Sequence, residues 1–315
     1  MDNIIVTGGA GFIGSHVVDL LLNDGYKVTV IDNLSRGSLR NLKRNIGREN
    51  FKVLTEDVRS PGIYSVLKKC KAIIHLAALV SVEESIENPM LYHDVNVNGT
   101  LNLLNGYRGS NGLFIYISSA AVYGEPVELP VREDSLPKPV SPYGVSKLCA
   151  EHYVRVFGEN YGFKTLILRL FNVYGSRQFK NPYAGVINRF IENIYLNKPL
   201  TIYGSGEQTR DFIHVQDAAR AIVKALSIDL NCEVVNIASG KPVRIIDLAL
   251  KMKEIAEGKL NKTVTIIHSK PKPGDIMHSY ASIEKAEKLL KFKPEISLNN
   301  GLEKLIDQYR LNNNI

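Results

Sequence analysis

The chain has 315 residues, 44% of them apolar and 23% charged, which is enough for one large core or two intertwined ones. Its net charge of +7 comes from 39 basic and 32 acidic residues scattered along the sequence, so an anionic small molecule is a better-matched partner than nucleic acid. Cys70, Cys149 and Cys232 fit no disulfide or metal-ligand spacing, and the longest apolar run, 72–80, is too short to cross a bilayer, which excludes a disulfide scaffold and predicts no metal and no membrane partner.

Strand-like sequence begins at Asn3, leaving no room for a signal peptide, so the expected location is cytoplasmic. From there short β-branched runs alternate with amphipathic stretches. NIIVTG, KVTVID, FKVLTED, AIIHLAA, LFIYISS and TLILRLFN read as strands, with helices starting near Gly11, Ser60, Pro89 and Pro142. Near-continuous apolar strands separated by helices predict an α/β fold built on a Rossmann-type, doubly wound parallel sheet. Beyond Asn172 the sequence becomes rich in Gly, Pro, Asn and charge. That shift predicts a smaller, loop-rich C-terminal substrate domain laid over the carboxyl ends of the strands. EVVNIAS at 233–239 reads as a further strand, 245–256 as an amphipathic helix and RLNNNI as a frayed tail. The expected division gives 1–171 and about 210–238 to a dinucleotide-binding half, and 172–209 and 239–315 to a substrate half.

Gly8, Gly11 and Gly14 follow the first strand and open a helix. Glycine permits a tight turn and a close approach of backbone to a pyrophosphate, whose charge then meets the helix N-terminus. Asp32 ends the next strand, where a carboxylate accepts from a ribose 2′-OH and repels a 2′-phosphate, so NAD is expected rather than NADP. Arg36 is a counter-signal or a plain loop arginine. Asp57 is placed to reach the adenine or to cap its own turn. His75 reads as a core or backbone-tethering histidine. Ser141-Pro142 is a helix start, and it places Tyr143 and Lys147 on one face, one turn apart. A nearby ammonium, together with the positive nicotinamide of an oxidised dinucleotide, is expected to draw the phenol down from its ordinary value near ~10. Ser119, at the end of LFIYISS, offers a hydroxyl to the same reacting oxygen.

The glycine turn, Asp32, HLAA at 75–78, SSAAVYG at 118–124, YGVSK at 143–147 and LRLFNVYG at 168–175 stand in order. Together they resemble the extended short-chain dehydrogenases/reductases. Within that family the chain is similar to the UDP-hexose 4-epimerases, over nearly its full length through PGD at 273–275. The resemblance implies that NAD meets Gly8, Gly11, Phe12, Ile13, Gly14, Asp32, Asn33, Asp57, Val58, Leu76, Ala77, Ala78, Asn96, Ser118, Tyr143 and Lys147. Asn96 reads equally as a helix-packing residue. It also implies that Tyr143 takes the proton from the sugar 4-OH, Lys147 holds the nicotinamide ribose and Ser119 hydrogen-bonds the 4-oxygen. Relatives that dehydrate or decarboxylate their sugar carry acids where this chain has Ala120 and Ala121, so epimerisation is favoured over those branches.

For the nucleotide sugar, the resemblance implies contacts from Ser81, Ser119, Tyr143, Asn172, Ala184, Gly185, Val186, Tyr203, Arg210, Lys272, Asp275 and Ser279. Arg210 would clamp the diphosphate through its planar fork, and Tyr203 would stack on uracil. The residues alone leave a surface ion pair, a core aromatic and a loop serine open for Arg210, Tyr203 and Ser81. Lys272 departs from the family, where a second arginine is common. Ser279 stands where epimerases restricted to plain hexoses carry a bulky aromatic, so UDP-GlcNAc and UDP-GalNAc are expected substrates, with UDP-glucose and UDP-galactose beside them. A net dehydrogenase, a UDP-uronate epimerase and a non-enzymatic NAD-sensing or RNA-associated protein of the same fold are the rival readings; the last would usually lose Tyr143 or Lys147, and both are here. A homodimer through a four-helix bundle, formed by 89–107 and 143–161, is also implied.

Overall fold

A computed structural model describes residues 2–178, 185–271 and 276–312, with side chains to Tyr309. The apolar runs form strands β1 (Asn3–Thr7), β2 (Lys27–Ile31), β3 (Phe51–Leu54), β4 (Ala72–His75), β5 (Leu113–Ser119) and β6 (Lys164–Leu170). Between them lie helices α1 (Phe12–Asn23), α2 (Tyr64–Leu67), α3 (Val82–Glu87), α4 (Pro89–His93), α5 (Gly99–Tyr107) and α6 (Pro142–Tyr161). The remainder supplies β7 (Asn172–Tyr174), α7 (Val186–Tyr195), β8 (Leu200–Tyr203), β9 (Thr209–His214), α8 (Val215–Lys224), β10 (Glu233–Ile237) and β11 (Pro242–Arg244). It ends with α9 (Ile245–Leu260), β12 (Ile266–Ser269), β13 (His278–Ser279), α10 (Glu284–Leu290) and α11 (Leu298–Asn312).

The main sheet runs β10-β6-β5-β4-β1-β2-β3, with every pair parallel. Alternate residues of each strand enter opposite cores, which is why the runs read as continuously apolar. Ile4 and Val6 pack with Val17, Leu21, Ala218 and Ile222 of α1 and α8. Ile5 and Phe114 pack with Leu103 and Leu104 of α5 and Ala150 and Val154 of α6. The strand order reverses between β1 and β4, so the crevice at their carboxyl ends is where such a sheet binds a ligand.

Two local expectations change. The helix placed near Ser60 is a 3₁₀ turn, Pro61–Ile63, followed by the single turn α2. TLILRLFN is also broken: after Phe171, whose N–H still reaches Ile237 O at 3.0 Å, the chain leaves the main sheet and pairs β7 with β9. That switch starts a second unit, in which β11, β9 and β13 form one small sheet and β8 and β12 another. Its core joins α7, α9 and α11 through Phe190, Leu248, Met252, Leu302 and Ile306. α10 and Phe292 return to the first core, so the polypeptide crosses between the two units more than once. The tail is helical to Asn312, and 313–315 lie outside the described residues. Among the described residues no helix is long and apolar enough to cross a membrane.

Candidate active site

The turn between β1 and α1 is closed by contact that only glycine allows. Gly8 has φ +68°, and a Cβ on it would lie 2.7 Å from Ala77 N; a Cβ on Gly14 would lie 2.2 Å from Gly8 O. No side chain caps α1, so its first turn faces the crevice uncapped, as a phosphate site requires. Asp32 ends β2 with Oδ2 accepting from Ala10 N at 2.9 Å and Oδ1 from Leu34 N at 2.8 Å. Burial pushes its carboxyl up, and these two bonds hold it down.

Asp57 follows β3, where Arg59 donates from Nε and Nη2 at 2.8 Å each and Asn33 from Nδ2 at 2.8 Å. The guanidinium keeps this carboxyl well below the usual range, and Asp57 also accepts from Arg59 N at 2.9 Å. The turn-capping alternative is therefore realised, with Asp57 still at the crevice. Arg36 is a loop arginine ion-paired to Glu84 of α3. Asn96 sits in a π-helical turn, Asp94–Asn98, between α4 and α5. Its amide accepts from Leu79 N at 2.8 Å and donates to Leu79 O and Ser146 Oγ, both at 3.0 Å. It tethers the loop after β4 to α6 and so fills the packing role rather than lining the crevice. His75 is a core histidine held between Thr7 Oγ1 at 2.7 Å and Thr100 Oγ1 at 2.9 Å, and burial pushes its pKa down to about 3. Its tethers are side chains, not backbone.

Ser141 caps α6 by accepting from Gly144 N at 3.1 Å, which fixes the first turn carrying Tyr143. Tyr143 and Lys147 are 8% and 3% exposed, so both lie at the crevice floor rather than at its rim. Lys147 Nζ donates to Ile117 O at 2.6 Å and stands 4.5 Å over the Tyr116 ring. Tyr92 meets Tyr143 edge-on at 6.4 Å. Ser119 caps the 3₁₀ turn Ala120–Val122, accepting from Ala121 N at 3.2 Å, and its hydroxyl is the group that draws the Tyr143 phenol down.

The expected lowering of the phenol does not arise from the polypeptide. Burial pushes Tyr143 up, and only the Ser119 bond opposes it. Lys147 is pushed down to about 7 by burial, opposed by the Glu151 carboxylate. Lys147 directs its N–H to backbone and carries the charge state that varies near neutral pH.

One cavity of about 1000 Å³ runs from Gly8, Gly11, Phe12, Ile13 and Gly14 past Asp32, Asn33, Val58 and Leu76 to Ala78. It continues to Ser118, Ser119, Tyr143 and Lys147, then to Ser81, Asn172, Arg210 and Ser279. A second cavity of about 530 Å³ is lined by Gly185, Val186 and Tyr203, with Asn172 and Arg210 common to both. Ser279 is in register beside Arg210, through β13 against β9. Asn172 Nδ2 donates to Asp211 O at 3.2 Å, and Arg210 Nη1 to Thr209 O at 2.8 Å. Ser81 Oγ accepts from Glu84 N at 3.0 Å, so the loop serine is the cap of α3, at the cavity wall. Ala184, Lys272 and Asp275 lie outside the described residues.

The surface-pair alternative for Arg210 fails on Asp211, which is fully buried. Asp211 accepts from Ser239 N at 2.7 Å, Ser239 Oγ at 2.6 Å, Gly240 N at 3.0 Å and Ala281 N at 3.2 Å. It ties the segment before β11 and the segment after β13 to β9, next to the register that sets Ser279 beside Arg210. The reading of the sequence also missed Glu151, whose only signal is its place one turn beyond Lys147, and Tyr92, which carries none.

The GDP-mannose 4,6 dehydratase family matches residues 5–305. Among solved structures, the UDP-N-acetylglucosamine 4-epimerase of Methanobrevibacter ruminantium, in complex with UDP-N-acetylmuramic acid, superposes with a TM-score of 0.93. It is 38% identical, with 99% of each chain covered. The UDP-glucose 4-epimerase of Thermotoga maritima with UDP-glucose gives 0.91 at 35% identity, over 98% of this chain and 99% of that one. The UDP-glucuronic acid 4-epimerase of Bacillus cereus with UDP-glucuronic acid and NAD gives 0.90 at 35%, with the same coverage.

Proposed function

The chain belongs to the GDP-mannose 4,6 dehydratase family, a branch of the extended short-chain dehydrogenases/reductases, and on that basis we propose that it is an NAD-dependent UDP-hexose 4-epimerase. We assign UDP-GlcNAc and UDP-GalNAc as its preferred pair. The observation that carries this reading is a single cavity with the glycine turn and Asp32 at one end. Ser119, Tyr143 and Lys147 meet in it, and Arg210 and Ser279 lie beyond them. The uncapped start of α1 and the close approach at Gly8 and Gly14 fit a pyrophosphate, and Asp32 fits a ribose diol. NAD, when bound there, supplies a reversible hydride acceptor for the sugar C4, so that a 4-keto sugar can be reduced again on its other face.

The proton steps fall to the protein. Tyr143, as phenolate, takes the 4-OH proton and later returns it, and the Ser119 hydroxyl favours the ionised phenol. Lys147, held by Ile117 O, supplies the positive charge of this group of residues in its protonated form. Ala120 and Ala121 offer no acid for a leaving hydroxyl, which supports epimerisation over dehydration. Arg210 and the start of α7 at Val186 suit the diphosphate, Asn172 its junction with the sugar, and Tyr203 the base. Ala184, Lys272 and Asp275 are assigned to the same nucleotide from the family resemblance. Ser279 leaves room for an N-acetyl group.

The division into a dinucleotide half (1–171, 210–238) and a substrate half (172–209, 239–315), and a cytoplasmic location, complete the proposal. So does a homodimer. Met90 on α4 and Val145, Tyr153 and Val156 on α6 are exposed apolar side chains on two neighbouring helices, which suit a second copy of the chain. A monomeric mass in light scattering would refute that pairing. For the activity, the purified protein is incubated with UDP-GlcNAc, UDP-glucose or UDP-glucuronic acid, without added cofactor, and the C4 epimers are resolved. Formation of UDP-GalNAc is expected. In a parallel incubation with added NAD, an oxidised sugar formed at its expense would indicate a net dehydrogenase, and turnover of the uronate alone would move the substrate to that class.

A further inference from the structure

Three successive residues at the end of β5 are each tied to one of three successive turns of α6. Ile117 O accepts from Lys147, Ser119 meets the Tyr143 phenol, and Ser118 Oγ donates to the Glu151 carboxylate. Ser118 lies in register with Arg169 of β6, so the two side chains approach Glu151 from neighbouring strands. Arg169 donates from Nε to Oε1 at 3.0 Å and from Nη2 to Oε2 at 2.7 Å, a bidentate fork. Its guanidinium also stands 4.7 Å over the Tyr123 ring and donates from Nη1 to Glu133 O at 3.3 Å. Glu151 and Arg169 are both buried, so their charges are fixed against one another.

We propose that Glu151 is a positioning residue for the 4-epimerase site: fixed by the Arg169 fork, it grips Ser118 and sets the register of the β5 terminus against the Tyr143–Lys147 face of α6. The proposal rests on the epimerase reading and adds to it a residue outside the substrate's reach. A one-residue error at Ser118 would carry Ser119 away from the phenol and Ile117 O away from the ammonium. Glu151 also faces Lys147 along the helix as a negative charge. The other groups around Lys147 are Tyr143 on α6, Tyr116 on β5 and His75 on β4, with Arg169 on β6 behind Glu151. Among them Glu151 is the carboxylate that favours the ammonium.

A purely structural ion pair would show itself in stability alone, so the test separates the two roles. Glu151→Gln, Ser118→Ala and the paired E151M/R169M are compared with wild type for kcat, KM, NAD retention and Tm. The Lys147 ε-carbon is titrated by NMR after assignment through Lys147→Met. Glu151→Gln is expected to lower kcat about tenfold at little-changed KM. It should also move the Lys147 midpoint down by about one pH unit, since the neighbouring anion is gone. The alkaline limb of the pH–rate profile should move the same way. E151M/R169M replaces the buried pair with apolar side chains, which commonly restores stability; its kcat should stay low at wild-type Tm. Ser118→Ala should lower kcat with NAD still retained, and it decides the matter if the other two variants fail to fold. Wild-type kcat in a folded variant, or an unmoved Lys147 midpoint in Glu151→Gln, overturns the proposal. A wild-type protein that epimerises no UDP-sugar would instead sink the epimerase reading, and the Lys147 titration would still judge Glu151.

Discussion

The two ends of the long cavity are built differently. At the dinucleotide and catalytic end, the geometry is imposed by backbone and by buried polar groups. A turn admits only glycine at Gly8 and Gly14, Asp32 is held by two backbone N–H groups, and Tyr143 and Lys147 are enclosed by β5 and α6. At the sugar end, Asn172, Tyr203, Arg210 and Ser279 are partly exposed side chains on short strands, and Asp211 fastens the segments beside Asn172, Arg210 and Ser279. A rigid end suits chemistry common to many substrates, because the reacting hydroxyl must meet the same three groups each time. An end made of small strands and loops can change its substrate by one side chain without disturbing the first.

That contrast can be broken by substitution. Tyr143→Phe should lower kcat about a thousandfold while NAD stays bound and Tm holds or rises, since it removes a buried phenol that does the proton transfer; steady-state rates with calorimetry check this. Lys147→Met should stabilise the fold by about 3 kcal/mol at pH 6 and far less at pH 10. Burial pushes the folded ammonium from its ordinary 10.5 down to about 7, so it opposes folding fully below pH 7. That opposition fades as pH rises from 7 toward 10.5. Urea unfolding at the two pH values reads the difference, and equal stabilisation at both would contradict it.

At the other end, Ser279→Tyr should lower UDP-GlcNAc turnover relative to UDP-glucose about thirtyfold, by filling the space for the acetyl group. An unchanged ratio in a substrate competition assay would remove Ser279 from the pocket wall. Arg210→Lys should raise KM about tenfold, with kcat and NAD retention little altered, because a point charge replaces a planar fork. If either sugar-end variant released NAD, the two ends would not be as separable as their construction suggests.

The rigid end was also the legible one. Apolar runs specify strands buried on two faces, Ser141-Pro142 specifies a helix start, and the position of Asp32 after its strand follows from both. What sequence order did not disclose depends on register between distant segments. Glu151 and Arg169 are 18 residues apart and meet only because β6 pairs with β5 beside α6. Asn96 lies in a π-helical turn and is a tether through contacts with Leu79 and Ser146, the latter 50 residues away in the chain. The strand expected through Asn172 breaks at Phe171 because its last residues find their partner in β9. Arg210 beside Asp211 suggested a surface pair, but a strand sends neighbouring side chains to opposite faces, one to the cavity and one to the interior.

The most direct test of the account uses UDP-GlcNAc deuterated at C4 and protein with no cofactor added. Hydride removed and restored within one site predicts UDP-GalNAc that retains the deuterium at C4. Label lost from C4 to solvent, or no C4 epimer at all, would contradict it.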